Sequence, residues 1–128
     1  MVLGIGTDLI EVERVRELAA KGDTWLEGVF TPREIAYCRS MHYPDRHFAA
    51  RFAAKEAFMK ALGTGWRNGI RFADIEITRD ALGKPALNVS GKAREILENC
   101  AAGQVHLHLS LSHLKSLASA TVIIETGE

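Results

Sequence analysis

A chain of 128 residues with 47% hydrophobic residues has the material for one core, and its 16 basic and 16 acidic side chains cancel to a formal charge of zero. That balance excludes the general basic excess of a nucleic-acid-binding domain, so electrostatic recognition has to be local. The two cysteines, Cys38 and Cys100, lack CxxC spacing, which argues for free thiols without a catalytic role in a reducing compartment. No stretch approaches the ~18 apolar residues of a membrane span, and no basic segment precedes an apolar run at the N-terminus, so a cytoplasmic protein is expected.

Taken in order, Met1 to Asp8 alternates as a strand does, with Leu3, Ile5 and Thr7 on one face and Val2, Gly4, Gly6 and Asp8 on the other. Two glycines on one face predict close approach by backbone or ligand. From Leu9 the period changes, and Val12, Val15, Leu18 and Ala19 mark a helix whose outer side carries Glu13, Arg14, Glu17 and Lys21. Asp8 is then expected at a strand-to-helix junction, where its spacing from Glu11 also suits a helix cap. Thr24 to Phe30 reads as a short apolar turn or helix. Thr31-Pro32-Arg33-Glu34 restarts a helix with an N-cap threonine, a proline at the first helical position and a glutamate at the third, a structural motif with no chemistry assigned to it.

After a proline-containing loop over 42–47, a long alanine-rich helix is predicted, ending in the glycine hinge Gly63-Thr64-Gly65. Phe48, Phe52, Met59 and Leu62 form its core stripe, with Lys55 inside it. Glu56 and Lys60 lie on another side with Ala49 and Ala53, an arrangement that leaves room for a ligand; the same glutamate-to-lysine spacing is also the commonest surface helix pair, contributing ~0.3–0.5 kcal/mol. Ile75 and Ile77 open a hairpin whose four-residue loop is Asp80 to Gly83 and whose return strand is Lys84 to Val89. Ser90 is expected to cap a further helix with Ala93, Ile96, Leu97 and Cys100 inward. Val105 to Leu111 and Ala118 to Ile124 read as strands around a turn at 113–116. Helices grouped early and a largely antiparallel sheet late predict an α+β class, with residues 1–128 forming a single domain.

Asp8 and Glu56 are two carboxylates at ends or turns of elements, beside glycines and a lysine, as a hard divalent ion at a phosphate site would need. His106 and His108 form only an i,i+2 pair with no third ligand, so a polar sheet face is the plainer reading. Ser112, His113 and Lys115 in a tight turn are suited to holding an anion, although a plain hairpin turn has the same composition.

The segments Gly4-Ile-Gly-Thr-Asp-Leu-Ile-Glu11 and Arg51-Phe-Ala-Ala-Lys-Glu-Ala-Phe58, with Lys60 and Gly63-Thr-Gly65, resemble the two signatures of the holo-acyl-carrier-protein synthases, the small stand-alone branch of the 4′-phosphopantetheinyl transferases. Phe72-Ala-Asp-Ile-Glu-Ile77 and Gly83-Lys-Pro85 are also similar, and the resemblance covers nearly the whole chain. It implies transfer of the phosphopantetheine group of coenzyme A to a serine of an apo carrier protein, with adenosine 3′,5′-bisphosphate leaving. It implies magnesium at Asp8 and Glu56, and Lys60 beside the pyrophosphate. The general base is either Glu56 or a metal-bound water. Arg51, Gly63, Thr64, Gly65, Lys84, Ser112 and His113 are expected along coenzyme A, with Ser112 and His113 matching the place of the 3′-phosphate. Arg14 is expected to dock an acidic acyl carrier protein; its plainer role is a helix arginine paired to Glu11 or Glu17. A homotrimer with sites between subunits is implied as well. Two other readings are a non-catalytic relative that binds coenzyme A or a nucleotide as scaffold or sensor, and a magnesium-dependent pyrophosphatase.

Overall fold

A strand that lacks side chains at two inward positions can lie directly on a helix backbone, and the fold is built on such a contact. In the computed structural model, which describes residues 1–64 and 69–127, strand β1 (Val2–Glu11) packs on helix α4 (Pro44–Leu62). A Cβ on Gly4 would lie 1.9 Å from the carbonyl oxygen of Ala61, and one on Gly6 would lie 2.0 Å from that of Ala57. The close approach expected at the glycines is therefore made by backbone. The alanine side of α4 offers a ligand no room at Ala49 or Ala53, since both are fully buried in a helix packed on β1 and β5 (Leu117–Gly127). A helix buried on most sides has no single apolar stripe, and α4 buries Ala49, Ala50, Ala53, Ala54 and Ala57 together with Phe48, Phe58 and Met59.

Strand β1 runs three residues further than the change of period suggests, because Leu9 and Ile10 continue the alternation, Leu9 exposed and Ile10 buried. Asp8 therefore lies inside the strand opposite Ala120. It does not cap α1 (Val12–Ala19), whose N-cap is Glu11 without a side-chain bond. Helix α2 (Asp23–Val29) follows, then α3 (Pro32–Ser40). The capping box of α3 is present as read: Thr31 Oγ1 accepts from the Glu34 N–H at 3.3 Å, and Glu34 Oε1 accepts from the Thr31 N–H at 2.9 Å. Helix α4 begins at Pro44, inside the stretch read as a loop, because a proline at the first helical position loses an N–H that has no helical partner there. It ends at Gly63 in the left-handed conformation, φ 84°. The Gly63 N–H is spent on the carbonyls of Met59 and Lys60, so it is not free for a ligand. Gly65 lies outside the described residues.

A 3₁₀ turn (Phe72–Asp74) leads into β2 (Ile75–Arg79), which pairs antiparallel with β3 (Pro85–Val89) as a separate two-stranded sheet. Their loop is one residue longer than expected, since Asp80 Oδ1 accepts from both the Leu82 and Lys84 N–H groups and draws Lys84 into the turn. Helix α5 (Gly91–Cys100) buries Ala93 and Leu97 but leaves Cys100 exposed, and Ser90 occupies its N-cap without a side-chain bond. Strand β4 (Gln104–His113) completes the second antiparallel sheet, in the order β1-β5-β4. Helices followed by antiparallel sheets give the expected α+β class.

One charged pair crosses the core. Lys55 Nζ, fully buried, donates to Glu34 Oε1 at 2.8 Å, to the Phe72 carbonyl at 3.0 Å and to the Ile75 carbonyl at 2.7 Å. The other carboxylate oxygen of Glu34 accepts from the Ile77 N–H at 3.0 Å. The lysine in the apolar stripe and the capping glutamate are thus two halves of one interaction.

The β1–α4 contact predicts a strong asymmetry between glycines. Gly6→Ala should cost about 3 kcal/mol in chemical denaturation, because the added methyl meets backbone that cannot yield. Gly28→Ala, inside α2 with nothing within 4 Å of the new Cβ, should gain up to about 1 kcal/mol. A Gly6→Ala protein as stable as wild type would contradict the contact.

Candidate functional site

The register of β1 on α4 brings Asp8 to the C-terminal half of the helix. Lys60 Nζ donates to Asp8 Oδ1 at 2.9 Å and to the Thr7 carbonyl at 3.0 Å. Glu56 lies one turn before Lys60 on the same helix. Its carboxyl is held above the usual carboxylate range, first by burial and next by the negative charge of Asp8, while Lys60 and Arg14 pull it down. Four of the residues singled out in the sequence, on three elements, therefore meet in one place. Arg14, exposed on α1, makes no ion pair within 4 Å among the described residues and so is not neutralised by Glu11 or Glu17.

Asp8, Glu56 and Arg14 form the polar edge of a cleft of about 460 Å³ whose apolar wall includes Trp25, Phe52 and Phe72. The wall is a chain of rings, Trp25 5.8 Å from Phe52 and Phe52 5.5 Å from Phe72. The donor set at the polar edge is all oxygen, and two neighbouring carboxylates, one of them resisting ionisation beside the other, make a place where a hard divalent cation would be bound favourably. Among the described residues no group of three or more His, Cys, Asp or Glu side chains is arranged to hold a metal. A cation here would take its remaining ligands from substrate and solvent. The Lys60–Asp8 pair does not oppose this, because the Lys60 side chain is 56% exposed and such a pair contributes at most about 1 kcal/mol.

A second group of residues gathers near the N-terminal end of α4. The rings of His113 and His47 are 5.1 Å apart, and Tyr37 lies 6.0 Å from His47. The guanidinium carbons of Arg51 and Arg79 lie 4.3 and 4.8 Å from the centre of the Tyr37 ring. Arg51 is buried; it donates to the His47 carbonyl at 3.4 Å, and its Nε has no partner among the described residues. Burial, followed by the positive charge of His113, Arg51, Arg79 and Arg46, pushes the His47 imidazole down to about 4. Ser112 is exposed beside His113, and Lys84 is exposed in the β2–β3 turn, where Arg79 donates to the Gly83 carbonyl. From His47 to Glu56 the helix rises roughly 13 Å at ~1.5 Å per residue. Arg51 and His113 thus belong with each other and not with Asp8, Glu56 and Lys60.

The histidine pair behaves as the polar sheet face it was read to be: His106 and His108 are on the outer face, and His108 Nε2 pairs with Glu125 Oε1 at 3.0 Å. Cys38 is buried and its thiol is pushed up to about 12 by burial, which makes it inert at neutral pH. Sequence reading missed Tyr37, His47 and Arg79, which come from three separate elements with no shared spacing. It also missed the aromatic wall: Phe52 was read as part of the core stripe, and nothing in the spacing joined it to Trp25 and Phe72.

Residues 4–121 match the family model described as the 4′-phosphopantetheinyl transferase superfamily. The chain is 49% identical, over 126 residues, to the holo-[acyl-carrier-protein] synthase of Syntrophus aciditrophicus (strain SB), covering 98% of this chain and 97% of that one. Among solved structures it is similar to the holo-[acyl-carrier-protein] synthase of Neisseria meningitidis, at a TM-score of 0.87 and 36% identity, covering 98% of this chain and all (100%) of that one. It is also similar to the holo-(acyl-carrier-protein) synthase of Bacillus anthracis, solved in complex with CoA (3′,5′-ADP), at a TM-score of 0.80 and 35% identity over 99% of each chain.

The strained ionisation of Glu56 has a measurable consequence. Since its pKa is raised in the folded protein, the fold disfavours the carboxylate above that pKa, and the cost is relieved as pH falls and the group protonates. With a chelator present, Glu56→Gln should melt above wild type at neutral pH, and the gap should close as pH falls through the carboxylate range. A variant that melts below wild type at neutral pH would contradict the like-charge placement.

Proposed function

Because the chain belongs to the 4′-phosphopantetheinyl transferase superfamily, we propose that Asp8, Glu56 and Lys60 are where it moves the 4′-phosphopantetheine group of coenzyme A onto a serine of an apo acyl carrier protein. Adenosine 3′,5′-bisphosphate leaves. The observation that carries this reading is the meeting of Asp8, Glu56 and Lys60 across β1 and α4, supported by relatives named holo-[acyl-carrier-protein] synthase that match along nearly their whole length.

The reaction is mainly positioning and neutralisation of charge. Asp8 and Glu56 would hold magnesium, which when bound supplies the positive charge that polarises the phosphoryl group under attack. Lys60, half in solvent, can turn from Asp8 toward the pyrophosphate and meet the charge that builds on the leaving bisphosphate. Gly63, Thr64 and Gly65 are assigned to the same stretch of coenzyme A, without a bond from the Gly63 N–H, which α4 already uses. Arg14, without an ion pair among the described residues, lies at the mouth of the cleft, where it steers an acidic carrier and orients it, and the aromatic wall excludes water.

The adenosine end of coenzyme A is assigned to the cationic group, with Ser112, His113 and Arg51 toward the 3′-phosphate and Lys84 at its edge. The Arg51 Nε, unpartnered among the described residues, and the arginines around Tyr37 support an anion there. The assembly proposed is a homotrimer with sites between subunits. In its favour, α4 covers only one side of the three-stranded sheet, while Ile5 and Leu9 on the other side are each 66% exposed. A cytoplasmic place of action completes the reading, and no helix among the described residues is long and apolar enough to cross a membrane. An assembled carboxylate and lysine site weighs against a non-catalytic binding role.

Incubation with coenzyme A, magnesium and an apo carrier protein should raise the intact mass of the carrier by one phosphopantetheine. Asp8→Asn should abolish that gain while melting and sedimentation stay as in wild type. Near-normal turnover of Asp8→Asn at limiting magnesium would overturn the assignment.

A further inference from the structure

The interaction that the proposed chemistry leaves unused is the buried pair of Glu34 and Lys55. An ammonium has three protons, and Lys55 spends all of them on acceptors from three elements: Glu34 on α3, the Phe72 carbonyl in the 3₁₀ turn and the Ile75 carbonyl at the start of β2. Glu34 is as fully committed, taking the Thr31 N–H, the Lys55 ammonium and the Ile77 N–H. Stability alone is a weak reason for such a pair. Replacing a buried ion pair by apolar residues of similar volume is often neutral or stabilising.

Its position supplies a stronger reason. Lys55 directly precedes Glu56, and the carbonyl it holds belongs to Phe72, which lines the same cleft as Glu56 and Asp8. The side chain is therefore a strut of fixed length between the turn of α4 that carries a site carboxylate and the segment that carries the aromatic wall. Apolar packing alone would let α4 rotate or slide by fractions of an ångström against that segment. Three directional bonds to one ammonium do not.

We propose that Lys55 and Glu34 act as a positioning pair for the transfer site, holding the Glu56 carboxylate and the Phe72 wall in the register at which Asp8 and Glu56 bind one divalent cation. The proposal rests on the functional reading above. It assigns the pair no contact with substrate or metal; the pair acts through Glu56 and Phe72.

The test is the double variant Glu34→Gln/Lys55→Met, which removes both buried charges together. Its folding is followed by thermal melting, its binding of Mn²⁺ in the absence of substrates by electron paramagnetic resonance, and its transfer by separate kcat and carrier KM. Supporting partners behind a metal ligand typically matter by about 10- to 100-fold. The double variant should melt cooperatively, bind Mn²⁺ at least about tenfold more weakly and lose kcat by a similar factor, with carrier KM within about twofold of wild type. A folded double variant with wild-type Mn²⁺ affinity and kcat would overturn the proposal. Should the double variant not fold, Lys55→Arg decides: it keeps the charge but changes the length of the strut, so it should fold and still lose Mn²⁺ affinity. Retention of wild-type affinity by Lys55→Arg would overturn the proposal. A wild type that binds Mn²⁺ without transferring would refute the functional reading instead, and the Mn²⁺ titration would still decide the role of the pair.

Discussion

Backbone lying on backbone, β1 against α4, is the contact on which the rest of the molecule depends. Gly4 and Gly6 remove the side chains that would hold the strand off, and Ala57 and Ala61 do the same from the helix. Asp8 follows Gly6 by two residues and so points to the same face, while Glu56 and Lys60 flank Ala57 by a turn or less. The site carboxylates meet because small residues next to them allow it. Magnitudes support this order of cause. An exposed pair such as Lys60–Asp8 contributes at most about 1 kcal/mol, whereas each fully buried side chain such as Phe58, Val122 or Ile124 contributes about 1.5–3 kcal/mol. Apolar packing assembles the site, and the ion pair only occupies it.

A chain of zero formal charge conceals two different clusters of charged groups along that one helix. Toward its C-terminal end two carboxylates share a partly buried cleft edge, and toward its N-terminal end His47 is kept neutral by burial and by the cations around it. In the proposed function the first pole takes a metal and the second takes the far phosphate of coenzyme A. The two poles are separated by roughly 13 Å of helix, so an extended, multiply charged ligand suits them better than a compact one. The uncovered outer face of the β1-β5-β4 sheet fits the same reading, because a trimer would bury Ile5 and Leu9 and bring residues of neighbouring chains together.

Local signals in the sequence carried far. The Thr31-to-Glu34 capping box is a four-residue motif whose geometry follows from spacing alone, and it is present as read. The alternation of the last two strands placed their turn one residue early, at His113 to Ser116, because His113 still pairs with Ala118 at the end of β4, and the glycines of the first strand announced a close approach. Asp8, Glu56, Lys60 and Arg14 were singled out before any contact was known, and they meet. What failed was whatever depends on the neighbour across the core. Asp8 was also readable as a cap because its spacing from Glu11 allows it; only the register with Ala120 shows that the strand continues. Ala49 and Ala53 looked like space for a ligand because a helix face does not reveal that a sheet covers it. Lys55 was conspicuous in an apolar stripe, yet its partner Glu34 belongs to a helix with its own local explanation, so nothing in one-dimensional spacing joined them. The cations around Tyr37 were unreadable for the same reason.

The claim that small-residue packing brings Asp8 and Glu56 together as one cation site is tested most directly by anomalous diffraction from crystals soaked with Mn²⁺. The account predicts one strong manganese peak per chain between the two carboxylates. A peak elsewhere, at His106 and His108 for example, or no peak at saturating Mn²⁺, would contradict it.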